Sequence, residues 1–173
     1  MATLHHNISG ELTQELLAPG DTVSLSKISL TNVQKVSKCK VDLYIEKQLT
    51  GKFYLLKQVE LPIGATLIYD DIKFNNNSGG FGLYIKLTDG DSFTLTGRIN
   101  PTASTGLTSS HTTGTAFLSE VSIGDEIVVN SETRTVSAIT ADDALVVTAA
   151  FTNTGSDATP DCNPTALVDV IIN

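Results

Sequence analysis

SIGDEIVVN, at residues 122–130, places a glycine at the foot of an alternating apolar run, and three other stretches repeat this pattern. They are APGDTVSLS (18–26), PIGATLIYD (62–70) and TDGDSFTLT (88–96). Glycine adopts the positive φ of a tight turn without steric cost, and the aspartate that follows it at Asp21, Asp91 and Asp125 bonds its own backbone there. The apolar and β-branched residues beyond each turn are typical of half-buried strands. The sequence therefore predicts an all-β protein.

Length and composition limit the classes of protein to which the chain can belong. Its 173 residues, 40% of them hydrophobic, suffice for one ordinary domain, or for one domain that carries a smaller one. A net charge of −8 argues against nucleic acid and against anionic membrane surfaces as partners. No stretch approaches the roughly 20 apolar residues of a membrane span, and no signal peptide is visible. We expect synthesis in a cytoplasm, with Cys39 and Cys162 as free thiols.

The charge is concentrated in one block of the sequence. Residues 101–165 hold eight acidic residues and one basic residue, whereas the rest of the chain holds eleven and ten. Polar stretches at 100–113 and 152–164 bracket this block, and a strongly alternating strand, Leu167–Asn173, follows it. Because one strand cannot form a domain alone, we expect it to close a sheet that begins much earlier in the chain.

These observations predict an antiparallel β-sandwich that carries a small inserted β-barrel or hairpin subdomain. The sandwich comprises residues 21–100 and 165–173, and the acidic insertion with its polar linkers comprises 101–164. Residues 1–20 are interpreted as an N-terminal arm, with either a helical turn at Glu11–Leu17 or no regular structure. Asp89-Gly90 is expected to turn a hairpin between 81–87 and 92–99. Two successive domains are the alternative organisation.

No catalytic or cofactor signature stands out. His5, His6 and His111 lie in the predicted arm and linker, and no G-x-S-x-G elbow surrounds any serine. The two carboxylates of Asp89-Gly90-Asp91 could contact Ca²⁺, but the spaced oxygens of a dedicated calcium loop are missing, and a hairpin turn accounts for them. We therefore predict a protein that is not an enzyme, with no catalytic residues, no cofactor and no bound metal.

Surface residues that could contact a partner are the remaining candidates. Tyr44 alternates with core positions and is therefore expected to be exposed. The stretch that begins with Asn75, Asn76 and Asn77 has the composition of a flexible loop, and Asp142 and Asp143 end a strand of the acidic block. We predict these residues as interaction sites, and strand addition at a sheet edge as the mode of docking.

Two stretches resemble known viral proteins. CKVDLYIEKQLTGKFYLLKQVELPIGATLIYDD (39–71), closed by VDVIIN (168–173), resembles small accessory virion proteins of tailed bacteriophages, which carry an Ig-like or jelly-roll sandwich. GTAFLSEVSIGDEIVVNSETRTVSAITADDALVVTAAF (114–151) resembles short β-rich modules of phage tail, fibre and other particle proteins. Neither resemblance carries a catalytic residue.

The resemblance implies a structural protein that is present in the virion in multiple copies. It would be a capsid decoration (cement) protein or a component of the neck, tail or fibre attachment. Its expected partners are other virion proteins and further copies of itself, and neither nucleic acid nor membrane. The alternative is a carbohydrate- or receptor-binding β-sandwich module.

Overall fold

The computed structural model describes residues 3–20, 24–47, 50–72, 74–75, 80–109 and 116–173. They form antiparallel strands with one short helix, which confirms the all-β prediction. The strands are β1 (Leu4–Ser9), β2 (Gln14–Leu17), β3 (Ser24–Leu25), β4 (Ile28–Asn32), β5 (Cys39–Lys47), β6 (Gly51–Leu61), β7 (Thr66–Tyr69), β8 (Phe74–Asn75), β9 (Gly82–Thr88), β10 (Phe93–Thr94), β11 (Ile99–Pro101), β12 (Gly106–Ser109), β13 (Glu126–Val129), β14 (Glu132–Ala141), β15 (Ala144–Val147), β16 (Asp161–Asn163) and β17 (Leu167–Ile172). The helix, α1 (Phe117–Glu120), is far too short to cross a membrane, and no other helix occurs in the ranges described.

The chain divides into two compact units with boundaries other than those expected. The first unit comprises residues 1–34, 38–89 and 166–173, and the second comprises 35–37 and 90–165. The expected arm contributes β1 and β2 to the sheets of the first unit. The prediction of a helical turn at Glu11–Leu17 was therefore wrong. Partner strands supplied by distant parts of the chain override the weak helical preference of that segment.

The first unit is a sandwich of two four-stranded sheets. Sheet 1 has the order β1-β17-β4-β7 and sheet 2 the order β2-β9-β5-β6, while β3 and β8 form a separate short pair. Numbered along the chain without that short pair, the first strand pairs with the eighth, the second with the seventh, the third with the sixth and the fourth with the fifth. This is the strand order of a jelly roll, one of the two sandwich types that the sequence resemblance implied.

Alternation along the strands builds the core of this sandwich. Val168, Val170 and Ile172 of β17 are buried in one cluster with Leu43 and Ile85 of sheet 2. Burial of each such side chain stabilises the fold by about 1.5 to 3 kcal/mol. A slip of one residue would turn a strand's apolar side chains to solvent, so the core also determines the register of the strands.

The second unit is a seven-stranded sheet, β10-β16-β13-β14-β15-β12-β11, around its own apolar core. The backbones of Ile99, in the outermost strand β11, and Asp157, in the segment before β16, exchange hydrogen bonds of 3.0 and 2.9 Å. The Thr- and Ser-rich stretch 100–113, expected to be a linker, contains β11 and β12, and the polar stretch 152–164 contains β16. Strands on either side supply the backbone hydrogen bonds that such polar segments cannot make alone.

Asp89-Gly90 does not turn the expected hairpin. β9 pairs with β2 and β5, whereas β10 pairs with β16 of the second unit. The Asp89 carboxylate accepts a hydrogen bond of 2.6 Å from the backbone N–H of Ala166. The positions at which the chain leaves and re-enters the first unit are therefore directly joined.

Candidate interaction surface

The described residues offer little that resembles a metal or catalytic centre. No group of three or more His, Cys, Asp or Glu side chains among them could hold a metal ion. His5 and His6 lie on β1, and His111 is outside the described residues. Cys39 and Cys162 are free thiols buried in the cores of the first and second units. The candidate binding residues therefore lie on the outer faces of the sandwich.

The outer face of sheet 1 is almost free of charge. Its side chains are the residues of β1, β17, β4 and β7 that alternate with the core positions. They are His5, Asn7, Ser9, Leu167, Asp169, Ile171, Ser29, Thr31, Thr66 and Ile68. Among these residues Asp169 carries the only formal charge at pH 7. In a chain of net charge −8, this neutral face is a distinct feature.

Two neighbouring rows cross this face. In one row Ile171 and Ile68 are 38% and 52% exposed, and Ser29 lies between them. In the next row Asn7 Nδ2 donates to Asp169 Oδ1 at 2.6 Å. The hydroxyls of Thr31 and Thr66 in this row are 2.9 Å apart and hydrogen-bonded. Because these polar side chains already satisfy one another, a partner that covered them would leave few unpaired groups.

A shallow depression of about 350 Å³ lies where β1 meets β17. It is lined by His5, His6, Asn7, Asp169, Val170 and Ile171. Four of these six residues, His5, Asn7, Asp169 and Ile171, belong to the outer face of sheet 1, so the depression adjoins that face.

The outer face of sheet 2 is different, because it carries lysines, acids and a row of tyrosines. The rings of Tyr54 and Tyr84 lie 5.4 and 5.8 Å from the ring of Tyr44, measured between centroids. Lys52 Nζ is 4.4 Å from the Tyr44 centroid, a cation–π contact, and Lys57 Nζ is 4.9 Å from that of Tyr54. A hydrogen bond with Tyr44 raises the pKa of Lys52.

Tyr44 is therefore not the exposed residue that alternation predicted. Its side chain is only 1% exposed, although it is on the outward side of the sheet. Neighbouring rings and the Lys52 side chain cover it, and its hydroxyl donates to Thr13 Oγ1 at 3.3 Å. Tyr84 donates to Glu15 Oε2 at 3.1 Å, and burial together with this bond raises the pKa of Tyr84. These tyrosines bind one another and their neighbours, and they leave no open platform around Tyr44.

Of the other predicted interaction residues, the described ones (Asn75, Asp142 and Asp143) do not lie on either of these faces. Asn75 ends β8, where its backbone pairs with Ser24, and Asn76 and Asn77 are outside the described residues. Asp142 and Asp143 form the turn between β14 and β15 in the second unit.

Asp142 has a local structural role. The Leu118 backbone N–H donates to Asp142 Oδ1 at 3.2 Å, and the Phe117 N–H donates to the Asp142 carbonyl at 3.0 Å. Asp142 thus holds the first residues of α1 in place.

Sequence reasoning missed the outer face of sheet 1 because it treated β1 as an arm. Leu4, His6 and Ile8 are the inward positions of LHHNIS, and the polar His6 among them hides the alternation. The outward residues of β17, Leu167, Asp169 and Ile171, were readable from the pattern, but their neighbours across the sheet were not.

Comparison with known proteins gives neither a family nor a function. No family model matches the chain, and no curated protein matches it. Among solved structures, the Anabaena sensory rhodopsin transducer aligns at 13% identity and TM-score 0.28, over 49% of this chain and 84% of its own. A serine protease of Aeromonas sobria aligns at 7% identity and TM-score 0.27, over 100% of this chain and 27% of the protease chain. A chain from the structure of infectious bursal disease virus strain Gx aligns at 8% identity and TM-score 0.22, over 98% of this chain and 36% of the viral chain.

Proposed function

We propose that this chain is a non-enzymatic structural protein of a bacteriophage particle, on which it docks in multiple copies against other virion proteins. It would serve as capsid decoration or cement, or as a component of the neck, tail or fibre attachment. The phage assignment depends on the sequence resemblance of residues 39–71, 114–151 and 168–173. The observation that carries a docking role is the neutral outer face of sheet 1.

Electrostatics favours this face as the docking surface. The centres of protein interfaces are depleted in charged residues, and the outer face of sheet 1 has Asp169 as its single charge, already bonded to Asn7. Ile68 and Ile171 provide apolar area that water leaves on contact. The outer face of sheet 2, with Lys52, Lys57 and its acids, would have to lose the hydration of many charges first.

The size of the face indicates one contact among several. Four strands about 4.8 Å apart and about five residues long cover roughly 300 Å² of flat sheet. A stable interface buries about 800 Å² per partner. A contact of this size holds when many copies or several surfaces act together, as on a repeating particle surface.

The proposed function is tested by counting copies of the chain in purified particles of the phage that encodes it, by quantitative proteomics against the major capsid protein. Hundreds of copies are expected for capsid decoration, and about five to twelve, or a small multiple, for a symmetric ring at the neck or tail. Absence from the particles would overturn the proposal and favour a free carbohydrate- or receptor-binding module.

The docking face is tested with a matched pair of variants. Ile171→Lys places a charge on the outer face of sheet 1, and Ile123→Lys makes the same change at an exposed isoleucine of the second unit. Particles that lack the protein are incubated with each purified variant, and bound protein is measured. Ile171→Lys is expected to lose binding and Ile123→Lys to retain it. Equal binding of both would exclude this face.

A further inference from the structure

The sandwich has four edge strands, and they differ in how they are protected. β1 and β7 are the edges of sheet 1, and β2 and β6 are those of sheet 2. An edge strand presents unpaired backbone N–H and C=O groups that can bind another strand. Natural proteins block such edges with lysines, bulges or short strands.

Three of the four edges carry such devices. β6 is eleven residues long, but it contains Lys52 and Lys57, irregular register against β5, and a positive φ of 52° at Gln58. β2 has four residues and an irregular register. β7 also has four residues, and two acids follow it directly.

β1 carries none of these devices. Its six residues, LHHNIS, pair with β17 in unbroken register from Leu4↔Ile172 to Ser9↔Leu167, and they include no lysine, acid or proline. In the described part of the chain β1 has no other neighbour. It is the longest regular, uncharged edge of the sandwich.

The hydrogen-bond pattern shows which backbone groups of β1 are available. Just beyond β1, the Gly10 N–H donates to the Ala166 carbonyl at 2.9 Å. In an antiparallel ladder the bonded residues alternate, so the even-numbered residues of β1 bond β17. The N–H and C=O groups of His5, Asn7 and Ser9 therefore point away from the sheet, and these three residues are exposed.

We propose that β1 pairs antiparallel with β1 of a second copy of this chain, about a twofold axis through Asn7. Of the six residues of β1, only His5, Asn7 and Ser9 direct their backbone N–H and C=O groups away from β17. A pair centred on Asn7 brings all three into hydrogen bonds with the second copy. Asn7 then faces Asn7 of the second copy, and His5 faces Ser9. Two chains of net charge −8 meet at a segment that contains no acid, so no like-charge pair opposes the contact.

The pairing would also explain how a small face can dock. It joins the two copies of sheet 1 into one eight-stranded sheet, whose outer face is about twice the roughly 300 Å² of one copy. The pairing itself is independent of the proposed phage function, whereas the enlarged docking face depends on that function.

The test is the oligomeric state of the full chain, measured by analytical ultracentrifugation over the micromolar range. The wild type is expected to be a concentration-dependent dimer. Asn7→Pro removes a backbone N–H that points away from β17 and puts a ring at the twofold axis, so the dimer is expected to be lost. Thr66→Pro is the matched control, because it places proline on the opposite edge of sheet 1 and is expected to leave the dimer intact.

A second variant distinguishes loss of the dimer from misfolding of the chain. Asn7→Lys keeps the backbone N–H but brings two lysines together at the axis, and it is also expected to give monomers with an unchanged circular dichroism spectrum. A monomeric wild type, or a dimer that survives both Asn7 substitutions, would overturn the proposal. A monomeric wild type that is nevertheless abundant in particles would refute the pairing alone, and a dimer that is absent from particles would refute the phage function alone.

Discussion

The two sheets of the jelly roll share one core, yet their outer faces have opposite characters. Sheet 2 carries lysines, acids and tyrosines that are bonded to each other, and its long edge, β6, is irregular. Sheet 1 presents Ser, Thr, Asn and Ile, and its edge β1 is regular and uncharged. The same alternation builds both sheets, so the inward residues determine the sandwich and the outward residues determine what each face can bind.

The largest expected effect comes from the core that the two sheets share. Leu43→Ala removes a fully buried side chain of sheet 2 and leaves a cavity, which should lower the free energy of unfolding by about 2 to 5 kcal/mol. Ile68→Ala, on the outer face of sheet 1, should change it by less than about 0.5 kcal/mol. Urea unfolding of both variants measures the difference. Similar losses would mean that Ile68 is covered in solution.

The next effect tests the link between the sheets. Asn32, buried in β4 of sheet 1, donates from Nδ2 to the Leu61 carbonyl of β6 at 3.0 Å and accepts from the Gln34 N–H at 2.9 Å. Asn32→Ala leaves these buried groups without that partner, and we expect a loss of about 2 kcal/mol. Thr31→Ala, at an adjacent position on the outer face, should lower the free energy of unfolding by clearly less. An unchanged urea midpoint for Asn32→Ala would show that the amide is dispensable.

A smaller effect concerns the tyrosines of sheet 2. Lys52→Ala removes the ammonium group from the Tyr44 ring, and the expected loss is about 0.5 to 1 kcal/mol, typical of an exposed cation–π contact. It should also raise the solvent accessibility of Tyr44, measurable by difference absorbance. Lys40→Ala, on the same face, serves as the control. If both variants behave alike, the lysine is not what covers Tyr44.

The last prediction uses the two thiols as reporters of burial in each unit. Burial raises the pKa of Cys39 to about 11 and that of Cys162 to about 12. Neither should react with a thiol reagent at pH 8 in the native protein, and both should react in urea. Asn32→Ala should speed the labelling of Cys39, in the sandwich, more than that of Cys162, in the second unit. Rapid labelling of the native wild type would contradict the buried positions of both thiols.

The positions of strands in the first unit were largely predictable. Val41, Leu43 and Ile45 alternate with polar residues, and the structure has β5 there. Three of the four predicted turn glycines were confirmed, since Gly20, Gly64 and Gly124 have φ of 89°, 68° and 97°, whereas Gly90, at the failed hairpin, does not have a positive φ. Both signals lie within a few neighbouring residues, where steric preference and alternation act directly.

The candidate surface was much less predictable. Tyr44 looked exposed because alternation reports which side of a sheet a residue is on, and it does not report what covers that side. The stretch 100–113 looked like a linker because Thr, Ser and Gly form strands only where neighbours hold them. The prediction of a hairpin at Asp89-Gly90 was wrong because β10 pairs with β16, which is distant in the sequence, and not with β9.

By itself the sequence determined the β class of the protein, many of its strands, and the inward side of strands such as β17, because these follow from local alternation and turn chemistry. Only the tertiary structure decided that β1 lies beside β17, which places Asn7 next to Asp169 and leaves the regular strand β1 without a second neighbour in the described part of the chain. Strand pairing between opposite ends of a chain depends on packing of the whole core. No local pattern encodes the partner.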